Sequence, residues 1–364
     1  LTWLRDVDAP ISAALRTELD ADGALGPLNA TLEIGQGALR PNPATEPVQF
    51  QSAKTYLTYE PTRDRIRFSQ VEVETEWGSA RATGDAYLRE IRDGLPRALL
   101  AQFQFTDVTL NPANLYEAPL QVPAAAVDLR LRFDPFRVDV GQMVVVDDAM
   151  RLRAQGQVTA TDAGWQLALD AAIDQISPEK VLSFWPENVK PGTRRWFSNN
   201  VSDARLHDLN AGLRLHPERP LQFAANFAFD DATVRFMRHI PPITDGVGTA
   251  SFIDSRFVVS LDQGTVLAPE GGPMQLAGSV FAIPDARIRN GPAEVDLRIG
   301  SSVTAVLSVL NQRPFEFLTK ANLPVAIADG RAEVAGQIGF PLKPRMTPDE
   351  VAFDFAADLR AVRS

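Results

Sequence analysis

The chain has 364 residues, 36 basic against 46 acidic, for a net charge of −10, with three histidines and no cysteine. Without Cys there is no disulfide scaffold, thiol nucleophile or thiolate metal ligand, and His207, His216 and His239 give a multi-histidine metal centre little to draw on. The acidic balance, with no Lys/Arg cluster interleaved with aromatics, argues against nucleic acid and against tight docking on an anionic membrane surface, and no apolar run approaches the roughly 18 residues of a membrane span.

The sequence starts at Leu1 without the Met, basic patch and apolar core of a signal peptide, and ends on a strand-like run from Leu359 to Ser364; it reads as a fragment of something longer. The stretch from Ala9 to Arg16 is a candidate helix. Beyond it, apolar and polar residues alternate strictly, the mark of strands with one buried face. The phase slips between Ile66/Phe68 and Val71/Val73, and again between Phe103/Phe105 and Val108/Leu110, as an inserted β-bulge residue produces. Val127, Leu129, Leu131 and Phe133 then alternate with charged residues, and Leu167 and Leu169 continue the oily face.

Near the middle the β pattern breaks. Ser177-Pro178-Glu179 has the N-cap serine, first-turn proline and early acid of a helix start, and Pro191 begins a second short helix, so a helical insert is expected at residues 177–200. Alternation resumes with Leu221, Phe223, Ala225, Phe227 and Phe229, then Phe257/Val259/Leu261, Val295/Leu297/Ile299 and Val351/Phe353/Phe355. Ser302 to Leu310 is apolar at both helical and strand spacing, and either element is open there. Asp93-Gly94, Asn111-Pro112, Asp134-Pro135, Pro241-Pro242, Gly271-Gly272-Pro273 and Asn290-Gly291-Pro292 punctuate the runs as turns. A weak repeat of a Gly followed by an alternating stretch recurs at Gly156, Gly248, Gly278 and Gly336.

The expected fold is mainly β: an elongated, curved and twisted antiparallel sheet, with an N-terminal part at 1–176, the insert at 177–200 and a C-terminal part at 201–364. Alternation alone leaves two architectures open, a closed sandwich and a bent sheet whose oily face forms a groove. Catalytic patterns are missing: no Walker A loop, G-x-G-x-x-G, H-E-x-x-H or G-x-S-x-G occurs. Asp147-Asp148 and Asp230-Asp231 are adjacent acids that a regular strand points to opposite faces, and His239 has no obvious orienting partner. Neither an enzymatic activity nor a cofactor or metal is expected.

The segment Leu182-Ser-Phe-Trp185-Pro186-Glu-Asn-Val-Lys-Pro191-Gly-Thr193-Arg194-Arg195-Trp196 resembles the Trp-Pro, Thr-Arg and Trp signature of the AsmA-like superfamily, in its YhdP-type branch. Asp231 to Gly248, Leu261-Asp-Gln-Gly264 and Pro341-Leu342-Lys-Pro resemble later parts of the same family, so the likeness runs from about Pro96 to the end. It implies a repeating β-groove in the Gram-negative periplasm, held to the inner membrane by a segment outside this chain, with the present sequence ending inside a repeat. The implied function is a conduit for phospholipid acyl chains between inner and outer membranes. Its groove would be lined by Val127, Leu129, Leu131, Phe133, Leu167, Leu169, Phe223, Phe227, Phe229, Phe257, Val259, Leu261, Leu297, Ile299, Phe353 and Phe355. Within the signature, Trp185, Pro186, Thr193, Arg194 and Trp196 are expected to pin two short helices onto the sheet; the competing role is a gate on the groove, with Arg194 holding a lipid phosphate. A scaffold that pairs strand edges with outer-membrane clients is the alternative function, and a polysaccharide-degrading β-helix is disfavoured for want of an acidic cluster.

Overall fold

The computed structural model describes residues 6–19, 21, 23, 26–147, 150–313, 315–343 and 347–363. Strands hold 63% of the residues, and the α-helices among the described residues are four and short. All 21 strands belong to one antiparallel sheet, and the chain divides into two compact units.

Unit 1 comprises residues 1–174, 186–188 and 211–222. Its strands are β1 (Val7–Asp8), β2 (Ile11–Arg16), β3 (Leu28–Ile34), β4 (Gly37–Leu39), β5 (Val48–Glu60), β6 (Arg65–Thr75), β7 (Gly78–Arg89), β8 (Ala98–Leu110), β9 (Leu120–Phe133), β10 (Phe136–Asp147), β11 (Met150–Thr161) and β12 (Gly164–Ile176). From β5 to β12 each strand pairs antiparallel with the next, as a meander does. On the other side β3 and β4 share the edge of β5, β2 lies beyond β3, and β1 beyond β4. The expected N-terminal helix is therefore a strand: Ile11, Ala13 and Leu15 of β2 sit opposite Ile34, Leu32 and Ala30 of β3. A helix of about two turns is marginal in water, whereas the alternation of Ile11, Ala13 and Leu15 gains a paired apolar face at once. Both phase slips are bulges. The β6–β7 register shifts between Phe68 and Val71, and the β7–β8 register shifts between Ser79 and Arg81, opposite Asp107 at φ 52°.

Unit 2 comprises residues 175–185, 189–210 and 223–364. It contains α1 (Pro178–Phe184), α2 (Pro191–Asn200), most of β13 (Val201–His216) and of β14 (Arg219–Val234), then β15 (Ile243–Ile253), β16 (Arg256–Leu267), β17 (Pro273–Gln275), β18 (Val280–Ile283), β19 (Pro292–Ser302), α3 (Val303–Leu310), α4 (Phe317–Lys320), β20 (Asp329–Pro341) and β21 (Ala352–Arg363). The ladder runs β14–β15–β16–β18–β19–β20–β21, with β17 bridging β16 and β19.

The ambiguous run after Ser302 is helical because its end is capped and its face is buried. Ser302 Oγ accepts the Ala305 N–H at 3.0 Å and donates to the Gly271 carbonyl at 2.8 Å. Ala305 then packs on Val266, Ala268, Met274 and Leu276, with Ile243, Leu261, Leu297 and Ile299 around them. Gly271, at φ +83°, lies so close beneath α3 that a Cβ there would stand 2.3 Å from the Ala305 nitrogen. Ser302→Ala should lower the stability of unit 2 by about 1 kcal/mol, the ordinary cost of a lost N-cap, measured as a shift in the urea midpoint.

Candidate functional site

The register resolves which side chains share a face. In unit 1 the cross-strand row Leu15, Ala30, Leu57, Phe68, Gly84, Phe103, Val127, Met143, Ala154, Ala171 is apolar over ten consecutive strands. Two shorter rows lie beside it on β9 to β12: Leu129, Val140, Gly156, Leu169, and Leu131, Val138, Val158, Leu167. Phe133 stands opposite Phe136 at the end of this face. Between those rows, the side chains of the next residues along each strand point the other way. The row Arg16, Asn29, Thr58, Arg67, Asp85, Gln102, Asp128, Gln142 is entirely polar. Its members bond to one another, with Thr58 donating to Asn29 at 2.8 Å, Gln102 to Asp128 at 3.2 Å, and Arg67 paired with Asp85 at 3.6 Å.

Unit 2 has the same organisation. Phe227, Ala250, Val259, Phe281, Val295, Ile338 and Phe353 form one apolar row across seven strands. On the other face the row Ala228, Thr249, Ser260, Val280, Asp296, Gln337, Asp354 is mostly polar, and Gln337 donates to Asp296 at 2.9 Å. Aromatic rings tile the apolar side: Phe223 lies 5.9 Å from Phe252, and Phe257 6.4 Å from Phe281.

Burial decides between sandwich and open face. Alanine supplies more than half of the fully buried hydrophobic residues described, and Phe229 is the one aromatic among them. Of the sixteen residues expected to line a groove, Phe229 alone is buried; Phe223, Phe353 and Phe355 are 47%, 69% and 44% exposed, and the rest are partly covered. A second sheet packed on this face would bury large alternating side chains and leave few so exposed. The sandwich reading fails on this count. Leu261, Leu297 and Ile299 depart from the open-groove expectation in another way, since they pack beneath α3 in the closed core of unit 2. The apolar face of unit 2 thus has an open part around Phe227 and a part sealed by a helix that alternation could not foresee.

The glycine repeat acquires a cause. Gly156, Gly248 and Gly336 all lie in the apolar rows, opposite Leu169, Leu261 and Phe355, and Gly84 lies opposite Phe103. A Cβ on Gly336 would stand 2.0 Å from the Phe355 ring, and one on Gly248 would stand 2.9 Å from Phe229. At Gly336, Gly248 and Gly84 a phenylalanine ring lies over bare backbone, whereas at Gly156 the close neighbour is the Ala168–Leu169 backbone of the adjoining strand. Gly278 differs, standing before β18 at φ +83°.

The signature segment is a packed corner. Ser177 Oγ caps α1 by accepting the Lys180 N–H at 3.3 Å. Arg194, on α2, donates from Nε to the Trp185 carbonyl at 2.9 Å and from Nη2 to the Leu182 carbonyl at 3.3 Å, so its guanidinium satisfies the C-terminal end of α1. That engagement removes the support for a phosphate-holding Arg194. Trp185 bonds the Val189 carbonyl through Nε1 at 2.7 Å and lies 6.3 Å from the Phe197 ring, with Pro186 following it into the turn. Thr193 and Trp196 are exposed on α2, Trp196 at 47%, so Trp196 departs from the expected packing role, while Trp185 ties the end of α1 to α2. Trp185→Ala should cost about 1–3 kcal/mol, below the 3–5 of a fully buried aromatic, and Trp196→Ala should stay within about 0.5 kcal/mol in the same thermal melt.

The acidic pairs fare differently from expectation. Asp148 lies outside the described residues; Asp147 accepts the Met150 N–H at 2.9 Å. Asp230 and Asp231 converge, at 2.7 and 3.7 Å, on Arg205, because the bulge after Phe229 and the left-handed Asp231 (φ 53°) break the alternation. The Arg205 guanidinium holds the Asp230 carboxyl below its ordinary range. His239 is exposed in a loop. Among the described residues no three His, Asp or Glu side chains group as metal ligands, and no helix is long and apolar enough to cross a membrane.

Open apolar rows over polar ones, together with the Trp-Pro to Trp corner, agree with one comparison that covers most of the chain: the family model described as YhdP protein matches residues 23–355. The chain belongs to the YhdP family. No curated protein and no solved structure matches it. In this YhdP-family chain the matched span includes the whole polar and apolar ladder of unit 1 from β3 onward, the signature corner, and unit 2 as far as Phe355.

Proposed function

We propose that this chain is a non-enzymatic conduit segment whose apolar rows carry the acyl chains of phospholipids while headgroups remain in water. The observation that carries the proposal is the unbroken apolar row over ten strands of unit 1, with its larger side chains left partly exposed and its reverse face polar and ion-paired. Such a face has no stable partner in water and fits a hydrocarbon ligand. Membership of a family associated with lipid transport supports the same reading. Burial stabilises each methylene by about 0.8 kcal/mol. Because successive rows offer Val, Leu, Ile, Ala and Phe in similar measure, the gain at neighbouring positions is nearly equal. A chain can then advance from row to row without a deep trap, and no covalent step, metal or cofactor is needed.

In the same proposal the segment works in the periplasm, anchored to the inner membrane by a part outside this sequence, and phospholipid moves between inner and outer membranes. The test is organic-solvent extraction of the purified chain followed by mass spectrometry. Phospholipid is the expected extract. A lipid-free preparation, or one carrying bound peptide, would replace the conduit by the strand-edge scaffold.

A further inference from the structure

The β4–β5 connection, residues 40–47, touches a distant part of the unit 1 sheet. Asn42 donates from Nδ2 to the Thr161 carbonyl at 3.2 Å, and Trp165 donates from Nε1 to the Glu46 carbonyl at 2.7 Å. Thr161 and Trp165 belong to the β11–β12 hairpin, seven ladder steps from β5. The two elements also start from opposite rims. In the row through Leu57 and Ala171, Val48 lies nine residues toward one rim and Gly164 seven residues toward the other. At ~3.3 Å per residue and ~4.8 Å per strand, a flat sheet would hold these corners roughly 60 Å apart. Their contact requires a sheet that both twists and coils. Seven steps at ~20–25° each turn β12 through about 140–175° relative to β5, which brings the Gly164 rim round to the Val48 side.

The direction of the coil is fixed by Trp165. It opposes Ala160 and alternates in phase with Leu167 and Leu169, so it stands on the apolar face, where it also meets Phe136 edge-on at 5.8 Å. The connection reaches this indole, hence it crosses on the apolar side and that side is concave. The connection is also stiff. Pro41, Pro43 and Pro47 restrict its backbone, Asn42 Oδ1 accepts the N–H groups of Ala44 and Thr45, and Thr45 is 1% exposed. Gly164, at φ +120°, leaves room for Pro217 and the Ala44 carbonyl, which a Cβ would meet at 3.3 and 3.6 Å.

We propose that residues 40–47 form a fixed strap that clasps two diagonal corners of the unit 1 sheet, keeps its apolar face concave, and obliges hydrocarbon to pass beneath it instead of being laid in from above. The part concerning hydrocarbon rests on the conduit reading; the clasp does not. Because the chain has no native cysteine, Gln49→Cys with Asp162→Cys gives two unique, exposed spin-label sites on the two corners. Pulsed electron resonance should find one short, narrow distance. Replacing residues 41–46 by Gly-Ser of equal length, or making the milder Trp165→Phe change, should lengthen and broaden it while circular dichroism stays that of a β protein. An unchanged distribution in both variants would overturn the strap. For the second part, thiols at Asn42→Cys and Thr161→Cys are joined by a short bis-maleimide, and uptake of a fluorescent phosphatidylethanolamine from vesicles is followed. Equal uptake by the joined and unjoined protein is expected, and loss of uptake on joining would mean that the strap must open. If the unjoined protein takes up no lipid, the conduit reading fails while the label distances still decide the clasp.

Discussion

Phe227→Asp is expected to empty the apolar face of unit 2 of lipid while leaving the unit folded. Phe227 is half-buried in the row shared with Ala250 and Val259, and among the described residues no second sheet covers it. In the lipid-free protein water reaches the new carboxylate, so the folding cost is limited to lost cross-strand contact, about 1 kcal/mol. With lipid present the same carboxylate meets hydrocarbon, and desolvating it costs several kcal/mol. Binding is therefore lost before stability. Thermal melting and extracted lipid are to be measured on one preparation; a collapsed melt would mean that this part of the face is closed, and an intact melt with undiminished lipid would mean that acyl chains do not touch it.

Val266→Asp, seven residues further along β16 than Val259, should do the opposite. Val266 is 4% exposed and packs with Met274, Leu276 and Ala305 beneath α3. A carboxylate there is shut off from water among apolar side chains, and the loss should be on the order of 3–5 kcal/mol, a large share of the total stability of a domain. The urea midpoint should fall steeply. A midpoint close to that of the unsubstituted chain would show that α3 lifts away readily and that this part of the face is open as well.

The contrast between Phe227 and Val266 marks the limit of what alternation reveals. A period of two identifies which residues share a face, and Val127, Leu129 and Leu131, or Phe227 and Phe229, were legible for that reason. Even the bulges announced themselves, since a phase slip at Phe68/Val71 has no other inexpensive cause in a strand. What covers a face is a tertiary fact. Ser302 to Leu310 satisfied both periods, and only the Gly271 backbone beneath Ala305 and the cap on Ser302 make it a helix that seals Leu297 and Ile299. Asp230 and Asp231 show the reverse: the alternation of a regular strand lapses at a bulge, where one left-handed residue sends both carboxylates to Arg205. The glycines of the weak repeat are visible as letters, but what crowds them, the Phe355 ring at Gly336, Phe229 and the Ser260 carbonyl at Gly248, and the Ala168 carbonyl at Gly156, lies in neighbouring strands. Trp196 carried no signal of its exposure, because α2 is too short for its periodicity to define a face. Pro41, Pro43 and Pro47 carry no signal of a strap, because the partners that make one are 119 positions away.

The most direct measurement places a photoreactive benzoylphenylalanine at Val127 or at Asp128, adjacent residues of β9 on opposite faces. After irradiation in cells, intact-protein mass spectrometry should find phospholipid adducts at position 127 and none at position 128. Equal labelling at both positions, or no lipid adduct at 127, would contradict an acyl-chain conduit along the apolar face.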